Sequence, residues 1–141
     1  DVPPEEDVEL CDAAREAGLS FIRLVTPTTL GDRLPVVIEK AGGFVYYVAI
    51  AGITGTKSAA TDSIRSAFTR LREETDLPAV AGFGIRSAEQ ANEVATIADG
   101  VVVGSALVQK IEDAVGSGDD KKLIADVGRF CASLSAAMQR K

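Results

Sequence analysis

Apolar positions along the chain switch repeatedly between the period of a helix and the period of a strand. Residues 5–18 place Leu10, Ala13, Ala14 and Ala17 at i, i+3, i+4 and i+7, one face of a helix, and Gly18 closes the segment. The run FIRLVTP reads as a strand that stops at Pro27. In LGDRLPVVIEKAGG, Leu34, Val37, Ile38 and Ala41 share one face, and Pro35 fits only if it sits in the first turn. The β-branched and aromatic run FVYYVAI predicts the next strand. A third helix carries Ile64, Ala67, Phe68 and Leu71 as its stripe, and LPAVAGFG follows as a short strand ending in glycines. Ser87 and Gln90 have capping-box spacing before a helix through Ala91, Val94 and Ala95. The apolar run from Gly100 to Gly104 predicts a strand buried on both faces. A helix from Ala106 to Val115, the polar break GSGDD and a last helix with Leu123, Val127, Phe130, Leu134 and Met138 on one stripe complete the chain.

The order is helix, then strand–helix four times, then one more helix. Such alternation predicts parallel strands with helices outside. Two architectures compete: a small doubly wound sheet of flavodoxin-like type, and part of an eight-stranded barrel. Four strands cannot close a barrel, which takes roughly 250 residues, so the length of 141 residues favours the small sheet. An open four-stranded arc would leave two free edges and an uncovered face, with Val45, Val48, Val80, Val101 and Val103 supplying much of the apolar strand surface. An isolated monomer of that shape is expected to be poorly stable or to aggregate unless another half or a second copy covers it.

Composition narrows the chemistry. Hydrophobic residues make up 46% and charged residues 26%, a globular balance in which no linker divides residues 1–141. The net charge of -6 argues against a nucleic-acid or anionic-membrane surface, and 5% aromatics without tryptophan argues against a base-stacking platform. Histidine is absent, which removes a His base, a His metal ligand and any His-containing triad. Cys11 and Cys131 are too far apart for CxxC chemistry and read as small buried thiols on helices. Neither a signal peptide nor an apolar stretch of spanning length is visible, so a reducing, cytoplasmic setting is expected; the start on Asp1 without Met reads as a chain processed, cut or incompletely observed. Glu89, Glu93, Glu112 and Asp113 read as solvated, and Asp99 as a cap or turn residue.

Three glycine turns each follow a strand and precede a helix: Gly52 to Gly55, Gly82 to Gly84, and Gly104 with Ser105. Backbone N–H groups freed there, beside helix N-termini, form a nest for a dianionic phosphate. Neither a P-loop nor a GxGxxG fingerprint is present. A phosphate on this rim fits the barrel better, because barrels build that site from the loops after their last two strands.

The blocks DVPPEE, TPTT, GFVYYVAIAGITG, AGFGIRSAEQ and ADGVVVGSALV, in this order, resemble the second half of the tryptophan synthase alpha subunit family over essentially the whole chain. The resemblance implies an α/β TIM (β/α)8 barrel, of which residues 1–141 supply about the last four βα units as the C-terminal half of a single domain. It implies a lyase of tryptophan biosynthesis, a branch of aromatic amino acid biosynthesis, that cleaves indole-3-glycerol phosphate to indole and glyceraldehyde 3-phosphate. The implied partner is a beta subunit, in an alpha2beta2 heterotetramer. Pyridoxal phosphate belongs to that partner, which takes the indole through a tunnel; no cofactor or metal is implied for this chain.

By the same resemblance, Gly55, Gly84, Gly104 and Ser105 contact the substrate phosphate, mostly through backbone N–H groups. Thr54 belongs to the mobile sixth loop, Tyr46 stands beside the reacting carboxylates, and Phe83 and Val102 wall the indole pocket. Asp1 corresponds to an aspartate ending the fourth strand, and the Pro-rich start and Thr26–Thr29 are candidates for the beta-subunit contact. Many members read Ser-Arg where this chain has Ala49 and Ile50. The family's acid/base glutamate and catalytic aspartate correspond to positions before Asp1, so no catalytic residue is assigned within the chain, and residues 1–141 alone are expected to have negligible activity. Another phosphate-binding barrel isomerase, or a non-catalytic phosphate-binding module, are the alternative readings.

Overall fold

A computed structural model of the chain describes residues 2–29, 31–49, 57–82, 84–115 and 118–139, the side chains of 57–61 excepted. The elements are α1 (Val8–Glu16), β1 (Arg23–Val25), α2 (Arg33–Ile38), β2 (Val45–Val48), α3 (Lys57–Glu74), β3 (Ala79–Gly82), α4 (Ala88–Ala95), β4 (Gly100–Val102), α5 (Ser105–Ala114) and α6 (Asp120–Ala137). The four strands form one sheet in the order β1-β2-β3-β4, with every neighbouring pair parallel. A doubly wound sheet switches strand order. The sequential order seen here is that of consecutive βα units of a barrel, and the flavodoxin-like alternative falls.

The register sorts side chains onto two sides of the sheet. Val25, Val45, Tyr47, Ala79 and Ala81 lie on one side and are buried with Leu34, Val37 and Ile38 of α2, Ile64, Phe68 and Leu71 of α3, and Ala91 and Val94 of α4. Tyr47 and Phe68 meet edge to face at 5.5 Å. Leu24, Tyr46, Val48, Val80 and Val102 point to the other side, which is half-buried or exposed. Of the five valines expected on the uncovered strand surface, Val48 and Val80 are there. Val45 is in the core, and Val101 and Val103 pack against it. Period-two alternation sends 45, 101 and 103 to the helix side. β4 is shorter than its apolar run and only half-buried, because it is an edge strand.

Local signals account for the starts of three helices. Pro35 falls in the first turn of α2. The Ser87 side chain accepts a hydrogen bond from the Gln90 N–H, while Gln90 reaches the N–H of Arg86 rather than that of Ser87, so the capping box is displaced by one residue on its return arm. Asp119 caps α6 through the Lys122 N–H. Asp99 acts as a turn residue: its carboxylate accepts from the Ala79 N–H at 2.9 Å and from Arg72 at 3.3 Å. Cys131 departs from expectation, being exposed on the outer side of α6, whereas Cys11 is buried. Among the described residues no helix is long and apolar enough to cross a membrane.

α1 also departs from its predicted stripe. Its buried line starts from Asp7 and runs through Cys11, while Leu10 is 55% exposed. The cause is Arg23, on the helix side of β1 and itself buried. Arg23 forms an ion pair with Asp7, donates to the Cys11 sulfur at 3.8 Å, and lies 4.6 Å from the centre of the Phe21 ring. A charged residue at a core-facing strand position turns the helix so that its counter-charge faces inward.

A second ion pair ties the N-terminal segment to α2. Arg33 grips both carboxylate oxygens of Glu5, one at 2.9 Å. The Arg33 hydrogen bond is the main reason the Glu5 carboxyl is lowered to about 2. A depressed carboxyl stabilises the fold above its unfolded pKa and loses that contribution as pH falls through the folded value, here between 4.5 and about 2. The pair is solvent-exposed, so the contribution is small and salt-sensitive. A carboxyl-carbon NMR titration should find Glu5 near 2 at low salt, with the midpoint rising in Arg33→Gln. An unchanged midpoint in that variant would show that Arg33 is not the cause.

Candidate functional site

In a parallel α/β sheet, ligands meet the carboxyl ends of the strands. At that rim the register sets Gly82 beside Val102, with Tyr46 diagonal to Gly82 on the neighbouring strand. All three belong to the side of the sheet that no described helix covers. Tyr46 leans towards the rim across Gly82: a methyl carbon built at Gly82 would overlap the Tyr46 hydroxyl and lie 2.7 Å from the ring carbon bearing it. Gly82, expected in a turn, is instead the last residue of β3, and the tyrosine lies where its side chain would be. A glycine ending a strand was the available signal, since such glycines often mark close approach.

Two residues beyond the Gly82–Val102 pair come Gly84 and Gly104, so both glycines leave adjacent strands at one level. Gly84 has φ +62°, which side-chain-bearing residues adopt rarely. A Cβ at Gly84 would meet no protein atom within 4 Å, so the backbone angle demands glycine there, not crowding by the protein. Gly104 has φ −109° and equally open surroundings, so nothing in the protein requires glycine at that position.

Gly104 precedes α5 and offers it no side-chain cap, unlike Ser87 before α4 and Asp119 before α6. The Gly104 carbonyl accepts from Leu107 and Val108, while the N–H groups of Ser105 and Ala106 have no partner among the described residues. Free N–H groups and the positive end of a helix dipole together favour an anion.

Of the candidate residues, Tyr46 and Val102 lie on the side of the sheet away from the described helices, and Gly84, Gly104 and Ser105 follow the carboxyl ends of β3 and β4. Thr54, Gly55 and Phe83, with Asp1 and Ile50, lie outside the described residues. Ala49 is buried, with its N–H bonded to the Gly82 carbonyl. The Thr26–Thr29 turn stands at the same rim after β1, closed by hydrogen bonds from the Thr29 N–H to the Thr26 carbonyl and from the Thr26 N–H to the Thr29 hydroxyl. Glu89, Glu93, Glu112 and Asp113 are exposed. The Ser87 hydrogen bond and the residue's own backbone N–H hold Glu89 below the ordinary carboxylate value, as suits a helix N-terminus.

Comparison with known proteins gives the same frame. The tryptophan synthase alpha chain family matches residues 1–139. Tryptophan synthase subunit alpha from Legionella pneumophila str. Paris superposes with a TM-score of 0.81 at 31% identity, over 98% of this chain and 49% of that one. Tryptophan synthase from M. tuberculosis in its open form gives a TM-score of 0.78 at 30% identity, over 100% of this chain and 49% of that one. A protein from Aquifex aeolicus VF5 gives 0.78 at 34% identity, over 99% and 49%. The chain spans about half the length of these solved chains. The parallel strands in sequential order, the glycines leaving β3 and β4 at one level, and a match over nearly every residue lead to one assignment: this chain belongs to the tryptophan synthase alpha chain family.

Proposed function

We propose that residues 1–141 are the C-terminal half of a single TIM-barrel domain whose complete form is the indole-releasing lyase of tryptophan biosynthesis. The reaction breaks the bond between indole C3 and the glycerol chain of indole-3-glycerol phosphate, giving indole and glyceraldehyde 3-phosphate. The uncapped N-terminus of α5, which follows the strand paired with the one that leads to Gly84, is the observation that most supports this reading. It offers the substrate phosphate the N–H groups of Ser105 and Ala106, with Gly84, Gly104 and Gly55 keeping the approach clear of side chains. Tyr46, Val102 and Phe83 form the side of the site that meets the indole ring, and Thr54 belongs to the loop that closes over it.

Cleavage requires a proton delivered to indole C3 and one removed from a glycerol hydroxyl, both tasks for positioned carboxylates. In this reading those carboxylates come from the N-terminal half, and the present half binds and orients. The complete protein works in the cytoplasm with a beta subunit, in an alpha2beta2 assembly, and the Pro-rich start and the Thr26–Thr29 turn face that partner.

Indole release is the decisive assay. The chain joined to a family-type N-terminal half should turn over indole-3-glycerol phosphate, and residues 1–141 alone should not. Turnover by the isolated chain would refute the division of labour. In the joined protein, Gly104→Ala should leave the unfolding midpoint unchanged, because the added methyl meets no protein atom. It should raise the dissociation constant for glycerol phosphate by roughly tenfold or more, by standing where the phosphate sits. Unchanged affinity would remove Gly104 from the cradle.

A further inference from the structure

The helix-covered side of the sheet contains a cavity of about 260 Å³ between α2, α3 and the ends of β1 and β2. It follows from unequal helices. α2 has 6 residues and α3 has 18, so at about 1.5 Å per residue the shorter helix leaves part of the layer beside the longer one unfilled. Val25, Leu34 and Leu71, all buried, form an apolar floor.

Polar groups line the rest of the cavity, from buried Tyr47 to exposed Arg70. Tyr47 is only 3% exposed, with its ring fixed against Phe68. Its hydroxyl makes no hydrogen bond with any described residue. Among the described residues only Arg23 Nε is both sealed from solvent and unpartnered, so the Tyr47 hydroxyl retains access, and the space beside it is this cavity. Ser63 and Arg70 line the same cavity from α3, seven residues apart and so on one helix face. Neither has a hydrogen-bond or ion-pair partner among the described residues. Burial raises the Tyr47 pKa and the Arg70 charge opposes this, so the phenol is a donor at neutral pH. No Asp or Glu is among the described residues lining the cavity.

The Tyr47 and Ser63 hydroxyls and the Arg70 guanidinium have no partner among the described residues and border the same space, and an anion that accepts from them gains charge-assisted hydrogen bonds. We propose that this cavity binds a small monocarboxylate with a compact apolar body. The carboxylate accepts from the Arg70 guanidinium and from the Tyr47 and Ser63 hydroxyls, and the body rests on Val25, Leu34 and Leu71. A single guanidinium matches one carboxylate in charge and in fork geometry, whereas a phosphate dianion would be left half-neutralised.

Benzoate is the probe and benzamide its uncharged isostere. Calorimetric titration of the 141-residue chain should show saturable one-site binding of benzoate, with benzamide at least tenfold weaker. Arg70→Gln and Tyr47→Phe should each weaken benzoate by roughly tenfold; the second keeps the ring, so the packing on Phe68 survives. Equal affinity for benzoate and benzamide, or for benzoate in wild type and Arg70→Gln, overturns the proposal. Absence of saturable benzoate binding also overturns it. Should the isolated chain aggregate, the same titrations on the complete protein, wild type and both variants, decide the question by the same outcomes.

Discussion

On the lyase function proposed above, replacing Gly82 with alanine should displace Tyr46 and reduce indole release by the complete protein by about 100-fold or more. The added methyl would overlap the tyrosine hydroxyl and reach within 2.7 Å of the ring carbon that carries it. Contacts that short do not survive, so either β3 or the tyrosine moves. β3 is paired on both sides, with β2 and β4. Tyr46 is half-buried and its hydroxyl end makes the clash, so it is the side chain that gives way. Overpacking of this kind costs about 1–3 kcal/mol in stability. The larger effect falls on the chemistry, where a misplacement of about 1 Å can cost on the order of 100-fold.

The relief experiment follows from the same geometry. Pairing Gly82→Ala with Tyr46→Leu removes the ring from the space the methyl enters. That double variant should regain the wild-type unfolding midpoint while activity stays low, because the aromatic wall is gone. If Gly82→Ala alone has wild-type stability and turnover, the contact between Tyr46 and Gly82 is not a constraint on the site.

The largest effect on stability should come from Asp7. Asp7→Ala leaves the Arg23 guanidinium buried without its counter-charge, while its Nε is already unpartnered. Breaking a buried pair from one side typically costs about 3–5 kcal/mol, a large share of the stability of a domain of this size. Denaturant unfolding should show a fall of that order. Replacing both partners together, Asp7→Leu with Arg23→Met, should recover most of the loss, because the desolvation cost goes with the charges. A fall below about 1 kcal/mol in Asp7→Ala would mean that the pair is hydrated and behaves as a surface ion pair. Separation of α1 from the sheet should accompany the loss, visible as faster amide exchange in α1 than in β2.

Much of the architecture was legible in the residues. The stripes of α2, α3 and α4 were read at the right positions, since Leu34, Val37, Phe68, Leu71, Ala91 and Val94 are all buried. Local spacing decides such faces, because a helix repeats its direction every 3.6 residues whatever it packs against. The Ser87 cap and the fitted Pro35 belong to the same local class, and the Asp119 cap lies in the run read only as a polar break. α1 was misread because its inward face is set by a long-range partner: Asp7 and Cys11 turn towards Arg23, 16 and 12 residues away, and no count of apolar positions contains that.

The candidate site divides along the same line. Gly84, Gly104 and Ser105 were found in the sequence because glycines after strands and before helices mark backbone donors, a property each turn has by itself. That the strands run in sequential order, and so bring those turns to one level, was decided only by tertiary pairing. The need for glycine at Gly82 was equally invisible, since it depends on where the Tyr46 ring from the next strand comes to rest. So was the sorting of the valines. Alternation along a strand is local, but which parity meets the helices depends on how the whole sheet is covered. The sequence alone determined the elements, their apolar faces and the chemistry available at the strand ends. Tertiary structure decided which faces meet, because contacts between residues far apart in the chain set the register, the buried ion pair and the position of every ring.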